Sequence, residues 1–174
     1  MSDRIAKMEL QWHEELAPSE IRAMALVGYL LETAHLLDRY WLSPMAAEYN
    51  LQKGEFDVIA TLRRAGKPYQ LTPTELHQSL LLTSGAMTSR LNRLEKAGLI
   101  LRQPSPLDRR SVQVHLTLAG LELINKILPL HIENEKKALS VLSENEQQEL
   151  GELLNKLTLG LKSKRGSRVN KYGY

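Results

Sequence analysis

The stretch from Leu71 to Thr117, LTPTELHQSLLLTSGAMTSRLNRLEKAGLILRQPSPLDRRSVQVHLT, leaves the chain few choices of fold. Thr72-Pro73-Thr74-Glu75 sets a capping hydroxyl, a proline in the first helical position and a carboxylate in the third, so a helix starts there behind a capping box. Leu76, Leu80 and Leu81 form its buried side. The chain turns near Leu82, and Thr83 can cap a second helix expected over Ser84 to Ala97, with Gly98 in the usual position past a helix end. Met87, Leu91 and Leu94 repeat at helical spacing and predict its core face. At about 100° per residue the opposite face carries Gly85, Ser89, Asn92 and Lys96, flanked by Thr88 and Arg93.

That outward face has the chemistry of a base reader. Small residues near the helix start permit close approach to a groove. Arg and Asn match the edges of guanine and adenine. Ser and Thr hydroxyls, with the helix N-terminus, suit phosphates. Beyond Gly98, Leu99 to Gln103 and Ser111 to Leu116 read as two strands, and Pro104 to Arg110 as the loop between them. A hairpin tip carrying Arg109 and Arg110 fits a narrow minor groove, and Asp108 can hold one of them in place. The pattern predicts a helix-turn-helix with a two-stranded β-wing, made to lie on double-stranded DNA. Its candidate DNA-binding residues are Thr72, Thr83, Ser84, Gly85, Thr88, Ser89, Asn92, Arg93, Lys96, Asp108, Arg109 and Arg110.

Charge agrees with this placement. The net charge is +3, but Lys162, Lys164, Arg165, Arg168 and Lys171 lie in a terminal segment without an acid. Set aside, they leave 18 of the 23 basic residues against 20 acidic ones. The rest of the chain is therefore no general polycation. Inside it, Arg90, Arg93, Lys96, Arg102, Arg109 and Arg110 cluster against only Glu95 and Asp108. A charge run more often marks a solvated helix face; its coincidence with the helix-turn-helix favours a nucleic-acid footprint.

The flanks are helical. Ile5, Met8, Leu10, Trp12 and Leu16 predict a short amphipathic helix, broken at Pro18, with Ser19 as the next N-cap. A long helix from Glu20 to about Tyr49 carries Ile21, Met24, Gly28, Leu31, His35 and Leu42, widened by Leu30, Ala34, Leu37 and Trp41, with Pro44 expected to bend it. So wide a stripe needs more partner surface than one neighbouring helix supplies, which points to a second subunit. Glu55 to Ala65 predicts a helix stopped by Gly66, with Phe56, Ile59, Ala60 and Leu62 inward and Asp57 and Arg64 two turns apart. That pair reads equally as surface charge. A further long helix runs from Leu118 to about Leu142, with Pro129 expected to kink it. Ser143 to Glu146 is a second capping box and starts a last helix striped by Leu150, Leu153, Leu154, Leu157 and Leu161. The basic segment after it is expected to be disordered.

Other classes find less support. No run approaches the ~18 apolar residues of a membrane span. The absence of Cys removes disulfides, thiolate metal sites and cysteine redox chemistry. The first residues show no apolar signal segment, so a cytoplasmic location is expected. His13, His35, His77, His115 and His131 are scattered. His131 and Glu135 stand at i, i+4, a spacing that chance supplies readily. No phosphate-binding loop, nucleotide fingerprint or nucleophile elbow is present, so neither an enzyme nor a cofactor is expected. A winged helix that binds protein is the remaining alternative, against which the Arg-rich wing and the Ser/Asn/Arg face argue.

In element order, and in Leu94-Glu95-Lys96-Ala97-Gly98-Leu99-Ile100, Asp108-Arg109-Arg110 and Leu116-Thr117, the chain resembles the MarR family of bacterial transcription factors over roughly residues 20–162. Trp12, Asp57, Arg64, Arg90 and Arg102 further resemble the charge set of its urate-responsive branch. The resemblance implies a mainly α fold with long N- and C-terminal dimerisation helices. It implies a homodimer with two recognition helices in successive major grooves of a pseudo-palindrome, its half-sites ~10 bp apart, and action as a repressor. It also implies a small aromatic anionic effector, urate or a phenolic or indole acid, anchored by Trp12 and Arg90; apart from the resemblance, His13 or His35 on its helix face could line such a pocket. Asp57 would be pushed away by the effector's charge, with Arg64 and Arg102 as its ion-pair partners. On this reading residues 1–18 are a helical extension, 19–50 a dimerisation helix, 51–117 the DNA-binding domain, 118–162 the C-terminal dimerisation helices and 163–174 a basic tail. Arg90 would then serve the effector, and Ser89, Asn92 and Arg93 the DNA, from one helix.

Overall fold

Thr72 and Pro73 start a helix where their capping box places it. The Thr72 N–H donates to Glu75 Oε2 at 2.7 Å, and the Glu75 N–H donates back to Thr72 Oγ1 at 3.2 Å. The computed structural model describes residues 3–80, 84–104 and 111–169, without the side chains of 3, 84 and 164–169. Along the chain run α1 (Asp3–Trp12), α2 (Pro18–Leu37), a π-helical turn (Asp38–Leu42), α3 (Ser43–Ala47), α4 (Lys53–Arg64), β1 (Gln70–Leu71), α5 (Pro73–Ser79) and α6 (Ser84–Lys96). They are followed by β2 (Ile100–Pro104), β3 (Val112–Leu116), α7 (Leu118–Leu139) and α8 (Glu144–Val169). The chain divides into two compact units, Met1–Glu135 and Lys136–Tyr174.

Several boundaries differ from expectation, each for a local reason. Ala17, not Ser19, caps α2, because Pro18 takes the first helical position and Glu20 Oε2 accepts the Ala17 N–H at 2.9 Å. The expected helix from Glu20 to Tyr49 changes register at the π turn, ahead of Pro44. Pro44 then sits in the first turn of α3, where its missing N–H costs little. The α4 helix begins two residues before Glu55, since Glu55 Oε2 accepts the Gln52 N–H at 2.8 Å and so caps a turn that starts at Lys53. Pro129 lies inside α7, which continues through it. Ser143 and Glu146 close the second capping box, and the bonds from Ser143 hold the Glu146 carboxyl below its ordinary pKa. Beyond it α8 runs to Val169, through most of the segment expected to be disordered. No proline interrupts that segment, and Lys and Arg are good helix formers.

The sheet has three strands where two were expected. Its order is β1-β3-β2, all antiparallel, with Gln70 opposite His115 and Arg102 opposite Val114. A two-residue strand is too short to show alternation, which is why β1 escapes a pattern search. Packed on the sheet is the core: Phe56, Val58, Ile59 and Leu62 of α4, Leu76 of α5, Met87, Leu91 and Leu94 of α6, Ile100 and Val114 of the strands, and Ile124 and Ile127 of α7. The recognition face is thus held from behind by the residues the sequence pattern assigned to it.

The join between sheet and α7 is tight. Thr117 Oγ1 donates to the Gly98 carbonyl at 2.7 Å and accepts the Gly120 N–H at 3.0 Å. Gly98 makes the turn at φ +72°, and a Cβ on Gly120 would overlap the Leu99 carbonyl oxygen. Gly120→Ala is therefore expected to lower the melting temperature by several degrees. Overpacking costs about 1–3 kcal/mol, and a chain of this size loses about 2–4 °C for each. An unchanged thermal unfolding curve by circular dichroism would show that α7 moves freely away from Leu99.

Candidate nucleic-acid interface and an adjoining cleft

Helix α6 divides its side chains as its spacing requires. Met87, Leu91 and Leu94 are buried, and Gly85, Thr88, Ser89, Asn92 and Lys96 are exposed. The exposed residues lie along one outward surface, small toward the helix start, with the larger Asn92 and Lys96 at its far end. Thr72 is half-buried and its hydroxyl is already engaged with Glu75, whose carboxyl the Thr72 backbone N–H and then the hydroxyl hold below the ordinary glutamate pKa. Ser84 opens α6. Thr83, Asp108, Arg109 and Arg110 lie outside the described residues, so the expectations for the cap and the wing tip are not addressed by the structure.

The two flanks of α6 are locked in different ways. On one, Arg102 of β2 donates from its backbone N–H to Glu95 Oε1 at 3.2 Å and from Nε to Glu95 Oε2 at 3.0 Å, and Nη2 adds a third contact. These bonds hold the Glu95 carboxyl below its ordinary pKa and the Arg102 guanidinium above its own. They tie the wing to the recognition helix. Arg102 also lines a groove of about 640 Å³ with Pro73, Met87, Leu91 and Val112. This corrects one expectation. Arg102 is the partner of Glu95, not of Asp57, because Glu95 stands on the flank of α6 opposite Arg90 and Arg93, which meet α4.

On the other flank Arg90 and Arg93 face α4. Arg93 Nε lies 2.6 Å from Glu55 Oε1, a carboxylate only 2% exposed. That N–H is not aimed well enough to count as a hydrogen bond, so the contact is an ion pair. Arg93 therefore shares the flank of Arg90 rather than standing wholly on the outward face, although its side chain stays 53% exposed. The Arg90 guanidinium packs over Gly54 so closely that a Cβ there would overlap it. Its Nη1 is buried without a hydrogen-bond partner.

Arg90 opens onto a cleft of about 730 Å³ whose wall includes Asp38, Ser43, Lys53, Gly54, Asp57 and Leu80. Lys53 Nζ and Asp38 Oδ1 are 3.6 Å apart at this wall. Burial pushes the Asp57 carboxyl above its ordinary pKa, against the pull of Lys53, Arg90 and His131 and with the help of Asp38. Asp57 also lines a neighbouring cavity of about 540 Å³ with Phe56, Arg64, Leu128 and His131. The His131 ring stacks at 4.3 Å from that of Phe56, and its Nε2 lies 3.1 Å from Glu135 Oε1.

Of the expected effector residues, then, the structure brings Asp57 to Arg90 in one cleft and Asp57 to Arg64 in the next. Trp12, at the end of α1 and 40% exposed, lines neither, nor does the exposed His35. Sequence reasoning missed Asp38, Lys53, Gly54 and Glu55. Only Glu55 carried a signal, its spacing of three from Gln52, and that signal speaks of a cap rather than of burial. Among the described residues no three His, Asp or Glu side chains converge as a metal site, and no helix is long and apolar enough to cross a membrane.

Comparison with known proteins agrees with this geometry. The MarR family model matches residues 49–111, which span α4, the helix-turn-helix and the first wing strand. The chain is 40% identical over 147 residues to the HTH-type transcriptional regulator PecS of Dickeya dadantii, a match covering 84% of this chain and 88% of the relative. Among solved structures, a point mutant of MarR from E. coli complexed with operator DNA aligns with a TM-score of 0.68 at 27% identity, over 78% of this chain and 95% of that one. AbsC, a MarR family transcriptional regulator from Streptomyces coelicolor, shares the fold with a TM-score of 0.74 at 21% identity, over 85% of this chain and 97% of that one. With its core, its winged helix-turn-helix and its match to PecS along most of both sequences, the chain belongs to the MarR family of DNA-binding transcriptional regulators, in the branch that holds PecS, and is not an enzyme.

Proposed function

We propose that the protein is a cytoplasmic repressor that binds a pseudo-palindromic operator as a homodimer and leaves it when a small aromatic anion, urate or a close analogue, enters the Arg90 cleft. The observation that carries the effector reading is the buried, unpartnered Nη1 of Arg90 beside a carboxylate whose charge is disfavoured. A buried guanidinium nitrogen without an acceptor is costly, and an entering anion supplies one. The anion's charge then faces Asp57 at short range, and the site favours a new arrangement of α4 and α6. A coupling of about 1–3 kcal/mol suffices for a 5- to 150-fold loss of operator affinity.

Supporting the dimer, α2 leaves Leu26, Val27 and Leu31 exposed, and α8 leaves Leu153, Leu157 and Leu161 exposed. Stripes of this kind are rare on monomers. Residues 19–50 and 118–162 are accordingly assigned to dimerisation and 51–117 to DNA binding, with Ser84, Gly85, Thr88, Ser89, Asn92 and Lys96 in the major groove and Asp108, Arg109 and Arg110 at the wing tip. Trp12 is retained as the proposed stacking surface for a flat ligand.

Gel shifts with the DNA upstream of the protein's own gene, titrated with urate, xanthine, salicylate and indole-3-acetate, test the proposal. Sequence-selective, salt-sensitive binding reversed by urate is expected. Release by salicylate or indole-3-acetate alone would transfer the site to a phenolic or indole acid. An absence of selective binding would sink the DNA-reading assignment of these residues. In the same titration Trp12→Ala is expected to weaken the urate response, and an unchanged response removes Trp12 from the site.

A further inference from the structure

We infer that the first turn of α4, through Gly54 and Glu55, carries occupancy of the Arg90 cleft to the recognition helix, and that Glu55 is the positioning residue in that linkage. The inference deepens the proposed function and rests on it. Two arginines of α6 lie against this one turn. Arg90 covers Gly54, where a Cβ would overlap the guanidinium as it lies. Arg93 reaches Glu55 Oε1 at 2.6 Å, one residue further on. The remaining oxygen of Glu55 accepts the Gln52 N–H at 2.8 Å and so begins α4. One buried carboxylate therefore serves both the cap of α4 and the grip on α6.

The same turn is a wall of the cleft, where Gln52, Lys53, Gly54 and Asp57 stand with Arg90. An anion that draws the Arg90 guanidinium into the cleft lifts it off Gly54 and alters the spacing of α4 and α6 at that point. The Glu55–Arg93 pair lies less than a helical turn further along α6. While it holds, the two helices cannot adjust independently, and the change passes to the exposed face that carries Ser89 and Asn92. The pair Asp57–Arg102 cannot provide this path, since Arg102 is held by Glu95 on the opposite flank.

The test measures the coupling factor, which is the ratio of operator Kd with and without saturating urate, in wild type and in Glu55→Gln. Glutamine keeps an oxygen for the Gln52 N–H and removes the charge that holds Arg93. The coupling factor is expected to fall at least about fivefold, while urate affinity of the free protein, followed by calorimetry, stays within about threefold. A merely structural role would weaken operator binding with and without urate alike and leave the ratio unmoved. Arg93→Met breaks the same pair from its exposed side and is expected to lower the ratio similarly, which keeps the test decisive where Glu55→Gln folds poorly. Wild-type coupling in Arg93→Met, or in a folded Glu55→Gln, overturns the inference alone. A wild-type protein that no anion of the panel releases from DNA overturns the proposed effector response and this inference together.

Discussion

Arg90→Met is expected to reduce the affinity of the free protein for urate by about 10- to 100-fold and to abolish effector-dependent release of operator DNA. The estimate follows from the loss of a hydrogen-bonded ion pair in a half-buried site, about 1.5–3 kcal/mol, at about 1.4 kcal/mol for each factor of ten. Methionine retains the unbranched stem that lies between α6 and Gly54, so the packing of the helix flank changes little. Two further consequences make the prediction specific. Arg90 is one of the cations that oppose the burial penalty on Asp57, so its removal is expected to raise the Asp57 pKa further. The buried Nη1 has no acceptor in the free protein, so its loss is not expected to lower the melting temperature of that state strongly. Isothermal titration with urate measures the loss of affinity, NMR titration of the Asp57 carboxyl the raised pKa, and thermal unfolding the melting temperature. Undiminished urate binding by a folded Arg90→Met protein would move the effector away from this cleft.

The parts of the fold that repeat were legible in the sequence. Met87, Leu91 and Leu94 faced the core because a helix offers its side chains at fixed angles, and Thr72 and Ser143 capped helices because their partners stood three residues on. Features set by tertiary approach left no periodic trace. β1 is extended because two residues pair with His115 and Val114, and Pro44 marked a bend in the long helix but not the π turn at Asp38–Leu42 that precedes it. For the candidate site both the part assigned to Arg90 and its nearness to Asp57 followed from resemblance, not from spacing. The partners of the other arginines did not follow from either. Resemblance matched Arg102 to Asp57, whereas in the fold its guanidinium goes to Glu95. Arg93 looked free for DNA because nothing in the order of residues says that Glu55, a capping residue, is also buried. Long-range ion pairs depend on which flank of one element meets the end of another, and such information is spread over the whole core.

Asp57→Asn is expected to make the protein bind urate without letting go of its operator, and to stabilise it in a pH-dependent way. Burial raises the folded-state pKa of Asp57 above its ordinary value of 3.8. The folded protein then holds this proton more tightly than the unfolded chain does. The favourable contribution is complete below about 3.8 and is lost as pH rises through the raised pKa, above which the ionised carboxylate works against folding. Asparagine has nearly the same shape and never ionises. The variant should therefore melt higher than wild type near neutral pH, and the difference should shrink toward zero as pH falls past the unfolded value. Effector binding gives the larger effect. If the anion acts by facing a carboxylate across the cleft, a neutral amide removes the repulsion that drives the change, and Arg90 still offers its guanidinium. Urate affinity of the free variant should equal or exceed that of wild type, while the loss of operator affinity at saturating urate should shrink from about 5- to 150-fold to within about threefold. The two halves separate the mechanisms cleanly. Higher stability at neutral pH with full release by urate would leave Asp57 as a buried acid without a part in signalling, whereas retained urate binding with lost release would identify charge opposition at Asp57 as the force that moves the recognition helix.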